Sequence, residues 1–272
     1  MKVSVITINK NNAEGLRRTI LSVISQSFKD FEYIIVDGNS SDNSVSTIQE
    51  LLPDSSVQTS WISEDDKGIY NAMNKGIAMS KGEYLLFLNS GDSFTNNDCL
   101  QLVFATFPTA DIVNARCNVV NGNSIVWTSP YLPNVTLGVL YNVGIPHQST
   151  FIKKSLFDTF GQYREDFRYN SDIAFWYKTI LFGGVSTYAV DLIITNYDQN
   201  GISTTGASSE QFQAEKRAII NEGILPRVIP DYDNWNEYKK KMREFEWLAD
   251  SCVMRSILRY FWKITHYNKR SR

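Results

Sequence analysis

Four strand-like runs dominate the first ninety residues: Val3 to Ile8, Phe31 to Val36, Val57 to Ser63 and Tyr84 to Leu88. Each is long enough for a strand, and each stops in a polar turn. The helical patterns between them carry Leu16, Ile20, Val23 and Ile24, then Val45, Ile48 and Leu51, then Ile69, Ala72, Met73, Gly76 and Ile77. Strand and helix alternating in this way specify an α/β sheet with parallel strands, helices on both faces and right-handed crossovers. Right-handed crossovers bring every strand's carboxyl end to one rim, where open α/β sheets bind ligands. Thr7, Asn9, Asp37, the Asp65-Asp66 pair and Asp92 are therefore expected to converge.

The fourth run sets the chemistry. Bounded by Gly82 and Gly91, it ends in Asn89-Ser90-Gly91-Asp92. A carboxylate held at a sheet rim by a buried strand can meet a divalent cation that carries a diphosphate. Read alone, the same turn is also an ordinary aspartate-capped turn. Asp37 likewise reads as a helix-capping turn, and Asp66 with Lys67 as a solvated charge cluster. Asp42 or Ser44 would cap the second helix.

The sequence Leu16 to Ser27 followed by Phe31 to Asp42 resembles the opening signature of the family-2 glycosyltransferases. Asn74-Lys75-Gly76-Ile77, followed by Gly82 to Asp92, resembles the second signature, up to the family's metal-binding Asp-x-Asp turn. The two cover about residues 1–95 in correct order and spacing. The resemblance implies a GT-A fold, a nucleotide-diphosphate sugar donor (a UDP-sugar favoured), Mn²⁺ or Mg²⁺ as cofactor, and inversion at the anomeric carbon. It implies Asp92 as metal ligand, with Thr7, Asn9, Asp37, Asp66, Lys67, Asn89, Ser90 and Gly91 around the nucleotide sugar. This turn departs from the family in offering one acid, Asp92. One carboxylate is workable for Mg²⁺, which retains waters and shares phosphate oxygens.

Beyond Asp98 the reading is a helix over Leu100–Phe107, a strand pair Ala110–Val120 and Ser124–Thr128, a short helix from Lys153, and a last strand from Val185 to Val190. His147, in Pro146-His147-Gln148, is a structural histidine or, by the resemblance, a partner of the diphosphate or metal. Asp172 opens a helix with Ile173, Trp176, Tyr177 and Ile180 on one face. Either Ser171 or Asp172 suits its N-cap. By family position Asp172 is the catalytic base, with Glu165 and Asp166 in reserve. Gly201 to Gly206 reads as a lid or a plain surface linker.

The expected organisation is a GT-A domain over 1–206, with a nucleotide-sugar half (1–95) and an acceptor half (96–206), then a helical extension over 207–272. Six of the 27 basic residues lie from Arg255 onward with no acid among them, leaving 21 bases against all 29 acids. That helix, bearing Tyr260, Phe261 and Trp262, suits an anionic membrane surface or a packed helix with a solvated basic tail. The formal charge of −2 speaks against a nucleic-acid partner. Three dispersed cysteines (Cys99, Cys117, Cys252) fit a reducing cytosol. The expected location is the cytoplasm, peripheral on the inner face of the bacterial membrane, with a lipid-linked saccharide acceptor. The expected process is surface polysaccharide synthesis (lipopolysaccharide O-antigen or capsule). The competing expectation is an inactive nucleotide-sugar-binding scaffold subunit. A dinucleotide-dependent dehydrogenase is set aside, because no Gly-x-Gly-x-x-Gly follows the first strand.

Overall fold

The computed structural model describes residues 1–53, 55–106, 108–122, 124–199, 201, 206, 208–223, 228–250 and 256. They form two compact units, Met1–Gly223 and Ile224–Arg272, the second contributing the helix Val228–Asp250.

In the first unit β1 (Val3–Asn9) lies between β2 (Phe31–Asp37) and β4 (Tyr84–Phe87), and β3 (Gln58–Ser63) flanks β2, all parallel. Residues of β1 and β2 are buried along their whole length, as continuous apolar runs covered on both faces must be. One face of these strands, with Val3, Val5, Tyr33 and Ile35, packs on Leu16, Ile20 and Val23 of α1 (Ala13–Ile24) and on Ile48 of α2 (Ser44–Leu51). The other face meets α3 (Ile69–Met79), which comes so close that a Cβ on Gly76 would stand 2.5 Å from Ile6 Cγ2. The more polar β3 occupies the end of the sheet, where exposure suits it.

Beyond β4 the sheet continues as β8 (Thr150–Lys153), β6 (Ile112–Asn121), β9 (Thr187–Asp198) and β5 (Ser93–Phe94), with β7 (Ser124–Thr128) paired to β6. Here directions mix: β8 is antiparallel to β4 and β6, β9 is parallel to β6, and β5 is antiparallel to β9. Several boundaries differ from the sequence expectation: the helix read as Leu100–Phe107 is Cys99–Phe104, the strand read from Ala110 begins at Ile112, and the last strand begins at Thr187 rather than Val185. Lys153 ends a strand rather than opening a helix, and the helix Ser155–Phe160 follows. The last strand extends eight residues past Val190, with Asp191 exposed and paired to Arg116 and the buried Thr195 hydroxyl bonded to Ser149. α4 (Ser171–Trp176) runs into a π-helical turn, Tyr177–Phe182. The helix Glu210–Gly223 belongs to this first unit. Cys99 and Cys117 are buried and free; Cys252 and the basic tail lie outside the described residues.

Candidate active site

The carboxyl ends of the parallel strands form the wall of a cavity of about 520 Å³, lined by residues that include Asn9, Lys10, Asn12, Asp66, Asn89, Ser90, Asp92, His147 and Asp198. Asn9 ends β1 in register with Asp37 of β2, which is in turn in register with Ser63 of β3. That register builds a polar knot behind the wall. Asn9 Nδ2 donates to Asp37 Oδ1 at 2.7 Å, Ser63 Oγ to Oδ2 at 2.7 Å, and Ser40 N–H to Oδ2 at 2.9 Å. Burial opposes the charge on Asp37, yet the hydrogen bonds from Ser40, Ser63 and Asn9 outweigh it and hold the carboxyl below its usual range. Asp37 is fully buried and reaches the cavity through Asn9.

Thr7 stands behind the wall rather than on it: Oγ1 donates to the Leu88 carbonyl and accepts from Tyr33 Oη. Asp66 is on the wall, pressed against Gly38, where a Cβ would fall 2.1 Å from Asp66 Oδ2. Lys67 is exposed, its N–H bonded to Asn71 Oδ1, and is not among the lining residues. Glu165 is held by Asn71 and Asn74, and Asp166 by Arg164, so both reserve acids are engaged in structural contacts.

The turn after β4 is clamped by α1. Thr19 Oγ1 donates to the Asp92 carbonyl at 2.6 Å and accepts the Gly91 N–H at 3.0 Å. Gly91 itself has φ 107°, a backbone state that favours glycine. Asp92 is 4% exposed, and burial pushes its carboxyl up to about 7, an effect to which the charge of Asp198 adds. His147 opens a short 3₁₀ turn, His147–Ser149, with its ring spanning two partners. Nε2 lies 3.3 Å from Asn89 Nδ2, and Nδ1 lies 3.0 Å from Asp172 Oδ2. Burial lowers the histidine's pKa, but the bond to Asp172 and the charges of Asp172 and Asp92 raise it further, so the net shift is upward. Asp172 Oδ1 accepts from Tyr70 Oη at 3.0 Å. Asn170, rather than Ser171 or Asp172, is the N-cap of α4.

Asp37, Asp92 and Asp172 do not all line this hollow. Asp92 lies on its surface, while Asp37 and Asp172 each stand one hydrogen bond behind, through Asn9 and His147. Sequence reasoning missed Asp198 because it ended the last strand at Val190. Another apolar run that stops in a polar turn was the available signal. Asn12 was also missed; it caps α1 through Gly15 N–H and donates to the Ser90 carbonyl. Of the proposed lid, Gly201 lines the cavity and residues 202–205 lie outside the described residues.

Among the described residues no group of three or more His, Cys, Asp or Glu side chains is placed to hold a metal ion. The turn supplies hard oxygen donors from Asp92, with a second carboxylate beside it, and Asn89 Oδ1 is buried without a hydrogen-bond partner. That set fits Mg²⁺ or Mn²⁺ shared with phosphate oxygens, and does not make a closed protein cage.

The profile of Glycosyl transferase family 2 matches residues 4–179. The chain belongs to glycosyl transferase family 2. Among curated relatives of this glycosyltransferase, an uncharacterized glycosyltransferase of Mycobacterium tuberculosis is 29% identical over 84% of this chain and 85% of its own. A PGL/p-HBAD biosynthesis glycosyltransferase of Mycobacterium bovis is 26% identical over 76% and 81%. Among solved structures, residues 1–349 of S. aureus TarS in complex with UDP-GlcNAc superpose with a TM-score of 0.66 at 20% identity, over 85% of this chain and 70% of that one. The chain spans 42% of the longer TarS chain. A Pyrobaculum calidifontis mannosyltransferase in complex with GDP-Man and Mn²⁺ gives a TM-score of 0.55 at 18% identity, over 72% and 56%. These likenesses establish the GT-A fold.

Proposed function

We propose that this glycosyltransferase moves a sugar from a nucleoside-diphosphate donor, a UDP-sugar in preference, to a hydroxyl of a lipid-linked saccharide, with inversion and with the help of Mn²⁺ or Mg²⁺. The observation that carries the reading is the rim cavity lined by Asn9, Asp92 and His147, with Asn9 bonded to Asp37 and His147 to Asp172. The complexes of TarS with UDP-GlcNAc and of the mannosyltransferase with GDP-Man and Mn²⁺ support a nucleotide-sugar donor and a divalent cation. The mycobacterial relative, a PGL/p-HBAD biosynthesis glycosyltransferase, supports sugar transfer within a biosynthetic route.

In this reading Asn9, Asp37 and Asp66 hold the nucleoside, with Thr7 buttressing the wall from behind and Lys67 at its outer edge. Asn89, Ser90 and Gly91 face the sugar diphosphate. Asp92 and His147 lie where the diphosphate and its cation bind. Such a cation offsets the charge that gathers on the departing diphosphate. The acceptor oxygen forms its bond to the anomeric carbon as the bond to the diphosphate breaks. The electron pair leaves with the diphosphate, and the hydroxyl proton passes to Asp172 by way of His147, the member of the pair that lines the cavity. His147 Nδ1 and Tyr70 Oη hold that carboxylate in place. The setting is assembly of a bacterial surface polysaccharide at the inner face of the membrane. No helix among the described residues is long and apolar enough to cross a membrane.

Release of nucleoside diphosphate from UDP-sugars with Mn²⁺ tests the reading. Asp92→Ala is expected to abolish both transfer and metal-dependent nucleotide binding. Full activity of that variant, or of the wild type in excess chelator, would overturn the metal assignment. The single acid in the turn favours a second reading, a nucleotide-sugar-binding scaffold without turnover. Binding of UDP-sugar without release of diphosphate in the presence of acceptor is its signature.

A further inference from the structure

The turn that carries Asp92 holds one acid, preceded by Asn89, Ser90 and Gly91. Another carboxylate arrives at the same place from the far end of the domain. Asp198 closes β9, and β9 runs antiparallel to β5, the strand that follows Asp92, with Ser93 opposite Asn196 and Phe94 opposite Thr195. The pairing carries Asp198 alongside the turn, where its backbone N–H donates to Asp92 Oδ1 at 3.0 Å. Its carboxylate lies on the cavity wall, with Oδ2 3.8 Å from the position of a Cβ on Gly91. Arg18, itself half exposed, meets Oδ2 at 3.2 Å.

Two carboxylates this close, one of them buried, raise each other's energy unless positive charge lies between them. A second observation on the same wall points to a ligand. Asn9 is 4% exposed and turns its Nδ2 to Asp37 and Ser40, which leaves Oδ1 with no hydrogen-bond partner. Asn89 Oδ1 is buried in the same condition. Most buried amide oxygens in native proteins have partners; Asn114 and Asn170 also lack one, but only Asn9 and Asn89 line the cavity, where an external donor or cation can reach them. Ribose hydroxyls, a hard cation and its water shell all meet that need.

We infer that Asp198 is the second protein carboxylate for a divalent cation shared with the donor diphosphate, standing in for the acid that the turn lacks. The inference rests on the metal-assisted use of a nucleoside diphosphate proposed above. It assigns a role to a residue 106 positions away from Asp92 in the chain. It also makes the site depend on β9 being docked.

The test measures binding by the full chain, with free Mn²⁺ followed by its electron paramagnetic resonance signal while UDP, or GDP in parallel, is present. Asp198→Asn removes the charge but keeps the backbone N–H that holds Asp92. It is expected to weaken Mn²⁺ uptake at least about tenfold. Nucleotide binding in excess chelator should stay the same or tighten, because a negative charge facing the diphosphate is gone. Asp198→Glu, which keeps the carboxylate, should retain Mn²⁺ uptake. Asp191→Asn, on the same strand but paired to Arg116, should match the wild type. Unchanged Mn²⁺ affinity in Asp198→Asn, alongside its loss in Asp92→Ala, would overturn the role of Asp198 and leave the proposed function standing. Equal weakening of nucleotide binding with and without metal would also overturn it, by making Asp198 purely structural. No Mn²⁺ uptake by the wild type with either nucleotide would bring down both.

Discussion

Asp172 shares both carboxylate oxygens with neighbours, Oδ2 with His147 Nδ1 and Oδ1 with Tyr70 Oη. A carboxylate so fixed is preorganised to receive a proton without first having to find its geometry. Asp172→Asn keeps the shape and loses the base. We expect turnover to fall at least about 100-fold with nucleotide affinity retained. An unchanged rate would remove Asp172 from the mechanism. Asp37 offers a test through stability. Its carboxyl is held below its ordinary value in the fold, so its contribution is present above the unfolded pKa of about 3.9 and is lost as pH falls through the folded one. The gap in denaturant midpoint between wild type and Asp37→Asn should be largest near neutral pH. It should close below about pH 4. A gap that stays constant in acid would show that the hydrogen bonds from Ser40, Ser63 and Asn9 do not favour the charged form. Asp37 and Asp92 were legible in the sequence as acids in strand-end turns. Their depth was not, since a turn residue one hydrogen bond behind a wall reads the same as one on it.

At the scale of elements, two contacts decide how the site is held. The backbone of β1 passes so close to Gly82, at the entry to β4, that an added Cβ would lie 2.4 Å from Ser4 N and 2.6 Å from the Val3 carbonyl carbon. No rotamer relieves a clash with backbone. Gly82→Ala is expected to cost about 1–3 kcal/mol in a denaturant melt, the usual range for overpacking. Glu215, on the helix Glu210–Gly223, is 6% exposed and accepts the backbone N–H groups of Arg168, Tyr169 and Asn170 at 2.8, 2.9 and 3.1 Å. Those residues lead directly into Asp172. Glu215→Ala would leave the three donors without their acceptor, at a cost of about 1–3 kcal/mol or more. Turnover should fall more than nucleotide affinity, because the loop carries the base and not the rim. Equal losses in both would count against this role. The helix itself was readable from its periodicity. The partner of its buried acid was not, because nothing local links residue 215 to residues 168–170.

For the whole molecule, the two compact units invite a division of labour: the first carries the cavity, while the second leads into the basic tail. If the tail holds the enzyme to an anionic surface, the full chain should sediment with vesicles rich in acidic lipid and a chain ending at Gly223 should not. Equal sedimentation of the two would remove the tail from membrane binding. The sequence alone determined the alternating strands and helices of the first ninety residues, their order and the family, because each apolar run and each turn is a local pattern set by side chains a few residues apart. Only the tertiary structure decided that Asp198 lies against Asp92, that Glu215 braces the approach to Asp172, and that Asp37 and Asp172 stand behind the cavity wall, bonded to Asn9 and His147. Those relations join segments tens to more than a hundred residues apart. They come from strand pairing and close packing, which depend on the summed fit of the whole chain and leave no trace in the spacing of any one stretch.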